Sequence, residues 1–344
     1  MDAHKILQSV FHVLAILVLL GFLALQGGSC MLLMSAMSET GSAAGGPTER
    51  AGRDAVLFGD EQAEARFLQV PVMGVISAEA KQTPFGFATE LSLMETVDRL
   101  LEHARESDRI DGVLLDIDSP GGAVDPSDVI FRKLRRFREE TGKPVVARLN
   151  GLAASGGFYV AVAADRIVAH PSCLTGSIGV IMQSFNFAGL FEKHGVELVT
   201  LTSGPNKDLL NPGRRMREEE RTILMGIIDE TYTQFVDAVA AGRGMDPAAV
   251  RAVADGRVWT ARQALDLGFV DRVGYEEELL AEMRDLAGVE TVAVVRHKLP
   301  SKLWELLELS AQGLAGRSRP ASVLDAIAMP RRSPGLYYLW DPQL

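Results

Sequence analysis

Two residues of this chain have types and settings suited to covalent chemistry: Ser155, in Gly151-Leu152-Ala153-Ala154-Ser155-Gly156-Gly157-Phe158-Tyr159, and Lys207, in Thr202-Ser203-Gly204-Pro205-Asn206-Lys207-Asp208. A serine hydroxyl attacks a carbonyl when a neighbouring base takes its proton, and a lysine amine serves once burial lowers its pKa towards neutrality. No histidine is then required. Ser155 follows a predicted strand (Pro144 to Leu149) and precedes an apolar helical stretch (Phe158 to Ala164). That order sets the hydroxyl near a helix N-terminus, and Gly156 and Gly157 let a substrate backbone come close. Taken alone, the pattern is also that of a tight strand-to-helix turn of small residues. A third segment, Val113-Leu114-Leu115-Asp116-Ile117-Asp118-Ser119-Pro120-Gly121-Gly122, reads as a buried strand running into a turn with two free backbone amides. Such amides can stabilise an oxyanion, although a Pro-Gly turn alone is ordinary.

In combination and in this order, Asp118 to Gly122, Ala153 to Tyr159, Thr175-Gly176-Ser177-Ile178-Gly179 and Ser203 to Asp208 resemble the signal peptide peptidase A family of membrane-bound Ser-Lys proteases. The resemblance runs from about Val70 to Gly274. It implies Ser155 as nucleophile, Lys207 as general base, Ser177 as a hydroxyl holding the lysine amine, and the amides of Gly122 and Gly156 as the oxyanion hole. It also implies an α/β, ClpP/crotonase-like fold of repeated ββα units, no cofactor, and peptide substrates that include signal peptides. The chain departs from the family pattern at Pro205 and Asn206, where members usually carry a less rigid residue and an aromatic one. Long members have two related halves, whereas each motif occurs once here, as in the short form. The expectation is therefore a ring-like homo-oligomer with active sites shared between protomers. Two rivals share the fold: a crotonase-like enzyme acting on acyl-CoA thioesters, and a catalytically inactive membrane scaffold.

The elements that must position these residues alternate in type. Arg66 to Ile76 suggests strands, Thr89 to Ala104 an amphipathic helix, and Ile110 to Ile117 a buried strand. A helix from Pro126 to Glu140, the strand before Ser155, and strands at Arg166 to Ala169 and Leu198 to Leu201 follow, the last leading into the lysine segment. Glu218 to Ala241 has helical spacing, and Thr260 with Gln263 forms a capping-box pattern. This rhythm predicts a mostly parallel sheet flanked by helices.

Composition narrows the alternatives. A net charge of −10, with no basic stripe, argues against a nucleic-acid partner. Cys30 and Cys173 supply neither a disulfide framework nor a metal site, and the six histidines contain no ligand-spaced pair, so no metal is expected. His103 and His297 fall in polar stretches predicted to be exposed, while His170 and His194 are the ones near enough to Ser155 to suggest a Ser-His alternative. The charged run Arg214-Arg215-Met216-Arg217-Glu218-Glu219-Glu220 reads as a solvated helix start.

Ile6 to Leu25 is almost continuously apolar and long enough to cross a bilayer, predicting an N-terminal transmembrane helix in contact with lipid. Cys30 raises a lipoprotein alternative, but it lacks the aliphatic residue expected three positions earlier. Lys5 precedes the span and the first basic residue after it is Arg50, which favours a single-pass protein of the inner membrane with its main body on the periplasmic or extracellular side. The expected organisation is an anchor (1–37), a flexible tether (38–60), a protease domain (61–295) and a C-terminal extension (296–344). In that extension Lys302 to Leu309 reads as a short amphipathic helix. The apolar run Gly335 to Trp340 is of the kind that finds a partner groove, on an adjacent subunit or, in a bolder reading, in the protein's own substrate channel as a self-ligand.

Overall fold

The computed structural model describes residues 54–79, 91–299 and, as backbone, the strand at 337–339. The expected membrane anchor, Cys30, most of the tether and the helix expected at Lys302 to Leu309 lie outside the described residues. Among the described residues no helix is long and apolar enough to cross a membrane.

The chain runs β1 (Ala55–Gly59), β2 (Ala65–Met73), α1 (Leu93–Glu106), β3 (Gly112–Ser119), β4 (Gly121–Ala123), α2 (Val124–Thr141), β5 (Val145–Ala154), α3 (Gly156–Ala161), β6 (Arg166–Ala169) and β7 (Leu174–Gly176). It continues through α4 (Ala188–His194), α5 (Glu218–Arg243), α6 (Pro247–Val253), β8 (Val258–Thr260), α7 (Ala261–Asp266), β9 (Arg272–Val273), α8 (Glu276–Ala287), β10 (Val292–Arg296) and β11 (Tyr337–Leu339). The nine-stranded main sheet has the order β1-β10-β2-β3-β5-β6-β9, with β7 and then β8 branching from β5, and is parallel except at β1 and β8. It is the mixed α/β layout that the alternating sequence pattern predicts.

Strands buried on both faces read as unbroken apolar runs, and β3 shows why. Val113, Leu115 and Ile117 face the larger core beneath α1, α2 and α3, while Leu114 points to the other face, where Leu279 and Met283 of α8 cover it. The ββα rhythm appears in β3-β4-α2. It appears again in β5, whose first part (Val146 to Leu149) pairs with β6 and whose last part (Leu152 to Ala154) pairs with β7 before α3 begins. A single strand thereby switches partner from β6 to β7 and delivers Ser155 at its end.

Several boundaries differ from expectation. Residues 55–59, placed by sequence in the tether, pair with β10 and belong to the sheet. The helix expected from Thr89 starts at Leu93, because Ser92 and Glu95 close a capping box there. Leu198 to Leu201 forms no strand: the segment has no ladder partner among the described residues, and Leu201 is 95% exposed. Its β-prone composition meets no sheet edge.

Candidate active site

Ser155 occupies the N-cap position of α3 with φ 52 and ψ −116, and its side chain makes no capping hydrogen bond. A non-glycine residue at positive φ is strained and must be held by its surroundings. Two restraints do so. The Ser155 amide donates to the carbonyl of Gly176 at 2.7 Å. Behind it, Phe158 and Tyr159 are fully buried: Phe158 lies 5.4 Å from the ring of Phe269, and Tyr159 lies 5.1 Å from those of Phe131 and Phe235. The Tyr159 hydroxyl donates to Asp128 at 2.7 Å. The helix behind Ser155 is thus a fixed platform with its N-terminal amides directed at the serine's surroundings.

Ser177 follows β7 and also has positive φ, 49. Its amide donates to the carbonyl of Arg257 at 2.8 Å, and Thr175 Oγ1 donates to the carbonyl of Ala153 at 2.6 Å. These bonds tie the Ser177 turn to the end of β5, so Ser155 and Ser177 line one open cleft of about 500 Å³. Ile178, Val180, Ile181 and Ile228 give that cleft an apolar wall, and Gln183, Asp229, Tyr232 and Asp255 supply its polar groups.

The turn between β3 and β4 is built by its own hydrogen bonds. Ser119 Oγ donates to the carbonyl of Gly74 at 2.6 Å and accepts from the Gly121 amide at 3.1 Å, while the amides of Ile76 and Ala123 exchange with the carbonyls of Gly121 and Ile76. Gly122 has no room for a side chain, since a Cβ would lie 2.0 Å from the carbonyl oxygen of Ile76. Gly156 is the first residue of α3, whose elements lie beside β4. Along the other side of β4 runs β11, antiparallel, with Tyr338 opposite Gly122.

Lys207 is not brought to this cleft. It sits in the exposed segment between α4 and α5, absent from the residues that line the cavity with Ser155. Its loop is nevertheless firmly held. Arg214 donates to the Asp208 carboxylate at 2.8 and 2.9 Å and to the Asp208 carbonyl at 3.1 Å, and Arg217 donates to the carbonyl of Pro205. Both arginines also grip Glu220, whose side chain is only 1% exposed. The Arg214 guanidinium holds Glu220 and Asp208 well below the usual carboxylate range, each down to about 2. The charged run Arg214 to Glu220 starts α5 as expected, with Glu218 and Glu219 exposed, and its Arg214, Arg217 and buried Glu220 also clamp the lysine loop. A basic block followed directly by an acidic one is its only sequence signal.

His170 donates or accepts within its own turn, with Ser172 2.7 Å away, and His194 ends α4 in solvent; neither lines the cleft with Ser155. Cys173 is buried, which pushes its thiol up to about 12. His103 and His297, expected to be exposed and separate, stack on each other beside Asp54.

Known proteins resemble this chain in sequence. The profile of Peptidase family S49 matches residues 137–290, which include Ser155, Ser177 and Lys207. A putative protease of Methanocaldococcus jannaschii is 32% identical over 293 residues, 85% of this chain and 88% of the relative. A putative protease of Synechocystis is 43% identical over 185 residues, and a putative signal peptide peptidase SppA of Enterococcus faecium 36% over 198. These two matches take in 54% and 58% of this chain and 66% and 57% of the relatives, so the chain spans less than two thirds of either. The chain belongs to peptidase family S49, the signal peptide peptidase A family.

Proposed function

We propose that this protein is a serine endopeptidase working through a Ser-Lys dyad on apolar or unfolded peptides at a membrane, signal peptide remnants among them. The observation that carries the reading is β11: an extended stretch of the chain's own backbone lies antiparallel on β4, opposite Gly122 and beside the helix that begins behind Ser155. A scissile peptide bound in the same way would present its carbonyls along the strand edge that holds the proposed oxyanion donor. Ser155 attacks the carbonyl, Lys207 takes the hydroxyl proton and passes it to the leaving amine, the amides of Gly122 and Gly156 receive the oxyanion, and Ser177 orients the lysine.

The base is supplied by a neighbouring copy in a ring-like homo-oligomer. In support, Lys207 lies outside the cleft of its own chain. The segment around it also carries exposed apolar side chains, among them Phe185 at 80%, Val199 at 70% and Leu201, an apolar surface of the kind that packs against a partner. The membrane anchor and a body facing the periplasm or cell exterior complete the reading, because a tether raises the local concentration of substrates left in the bilayer.

The deciding experiment is intact-mass labelling of the assembled protein with a fluorophosphonate, beside Ser155→Ala and Lys207→Ala. One adduct on the wild type, absent from both variants, supports the dyad. Labelling that survives Lys207→Ala moves the base to another residue, and no adduct on a folded oligomer favours a scaffold or a thioester enzyme.

A further inference from the structure

Asp54, His103 and His297 come from three distant stretches: the residue before β1, the last turn of α1, and the residue after β10. They meet at one point. Oδ1 of Asp54 lies 3.0 Å from Nε2 of His103 and 2.8 Å from Nδ1 of His297, and the two rings stack with centroids 3.8 Å apart. All three potential ligand atoms fall within 4.8 Å of one another, and the side chains of Asp54 and His297 are each only 14% exposed. We propose that this trio is a binding site for a zinc-class transition-metal ion.

Donor chemistry supports that class. Two imidazole nitrogens and one carboxylate oxygen suit zinc and its neighbours, whereas calcium and magnesium call for oxygen ligands. The spacing of the ligand atoms admits an ion once the two rings turn out of their stack. A tetrahedral ion with bonds of about 2.0–2.1 Å sets its ligand atoms about 3.4 Å apart. The contacts of 2.8 and 3.0 Å would open by about half an ångström, the rings would rotate until both ring planes contain the ion, and the ion would take the place of the direct His–Asp contacts. His103, the most exposed of the three at 26%, leaves a side open for water as fourth ligand. None of the three lines the cleft with Ser155, so the ion is structural. It ties the chain where it enters the sheet, at Asp54, and where it leaves β10, at His297, to the end of α1. Sequence spacing hides such a site, because the ligands lie 49 and 243 positions from Asp54.

The test uses the untagged full-length protein, stripped with a chelator and then titrated with Zn2+ or Co2+. The expected results are one ion per chain, the visible absorption bands of four-coordinate Co2+, and a thermal midpoint raised by about 5 °C at zinc well above its dissociation constant. Mg2+ should produce no shift. His103→Gln, His297→Gln and the near-isosteric Asp54→Asn should each fold without metal and each lose the Co2+ bands and the zinc-dependent shift. Failure of the folded wild type to take up either ion would overturn the proposal and leave the trio a hydrogen-bonded pin. So would uptake that is unchanged in all three variants, which would mean adventitious binding elsewhere.

Discussion

The backbone at Ser155 is where residue-level strain and chemistry meet. Its φ of 52 stores on the order of 1–3 kcal/mol, held by the Gly176 carbonyl and the aromatic packing of α3. Ser155→Gly should therefore raise stability by about 1 kcal/mol in denaturant unfolding while abolishing turnover. A variant less stable than the wild type would show that the strain is not there. Gly122→Ala has the opposite sign: its Cβ would meet the Ile76 carbonyl at 2.0 Å, so a loss of about 2 kcal/mol or more is expected along with the activity. Burial makes the Cys173 thiol inert, and iodoacetamide should reach it only after unfolding, as counted by mass in a Cys30→Ser background. The place of Ser155 between a strand and a helix was legible from its local pattern, Leu149 before and Gly156-Gly157 after, whereas Ser177, which lines the same cleft, was pointed to by the family resemblance alone. The Asp54, His103 and His297 meeting was not legible, since tertiary folding alone brings those segments together.

Elements account for what the lysine loop can do. Glu220, at the start of α5, holds Arg214 and Arg217, which between them hold both ends of the segment Pro205 to Asp208. Glu220→Gln should lower kcat about tenfold through a loosened loop, with little change in KM for short peptides. An unchanged kcat would make the clamp irrelevant to catalysis. The pKa of Glu220 falls on folding from its ordinary 4.5 to about 2, so its stabilisation is fully present above pH 4.5 and is lost as the pH falls through about 2. Protection factors of the loop amides, exchange rates corrected for the intrinsic rate at each pH, should fall over that window, and Glu220→Gln should remove the transition. Helices and parallel strands were legible because their apolar periods are long. The strand expected at Leu198 to Leu201 failed because strand propensity is realised only where an edge exists to pair with.

At the scale of the whole molecule, the proposed function makes the cleft with Ser155 and the segment with Lys207 complementary halves supplied by neighbouring copies. Mixing Ser155→Ala with Lys207→Ala protomers and allowing exchange should restore activity in about one site in four, from pairing by chance around a ring. Two inactive proteins that stay inactive after proven exchange would place serine and lysine within one chain. Removing residues 331–344 should raise kcat/KM for short peptides, and no change in activity or assembly would mean that β11 does not obstruct the cleft. A strand covalently joined to the edge it covers acts like a resident at roughly millimolar effective concentration. A visiting peptide must outbid that resident, by affinity or by sheer abundance. On the proposed function, the protein would then behave as a threshold device, idle towards dilute passers-by and active where peptides accumulate.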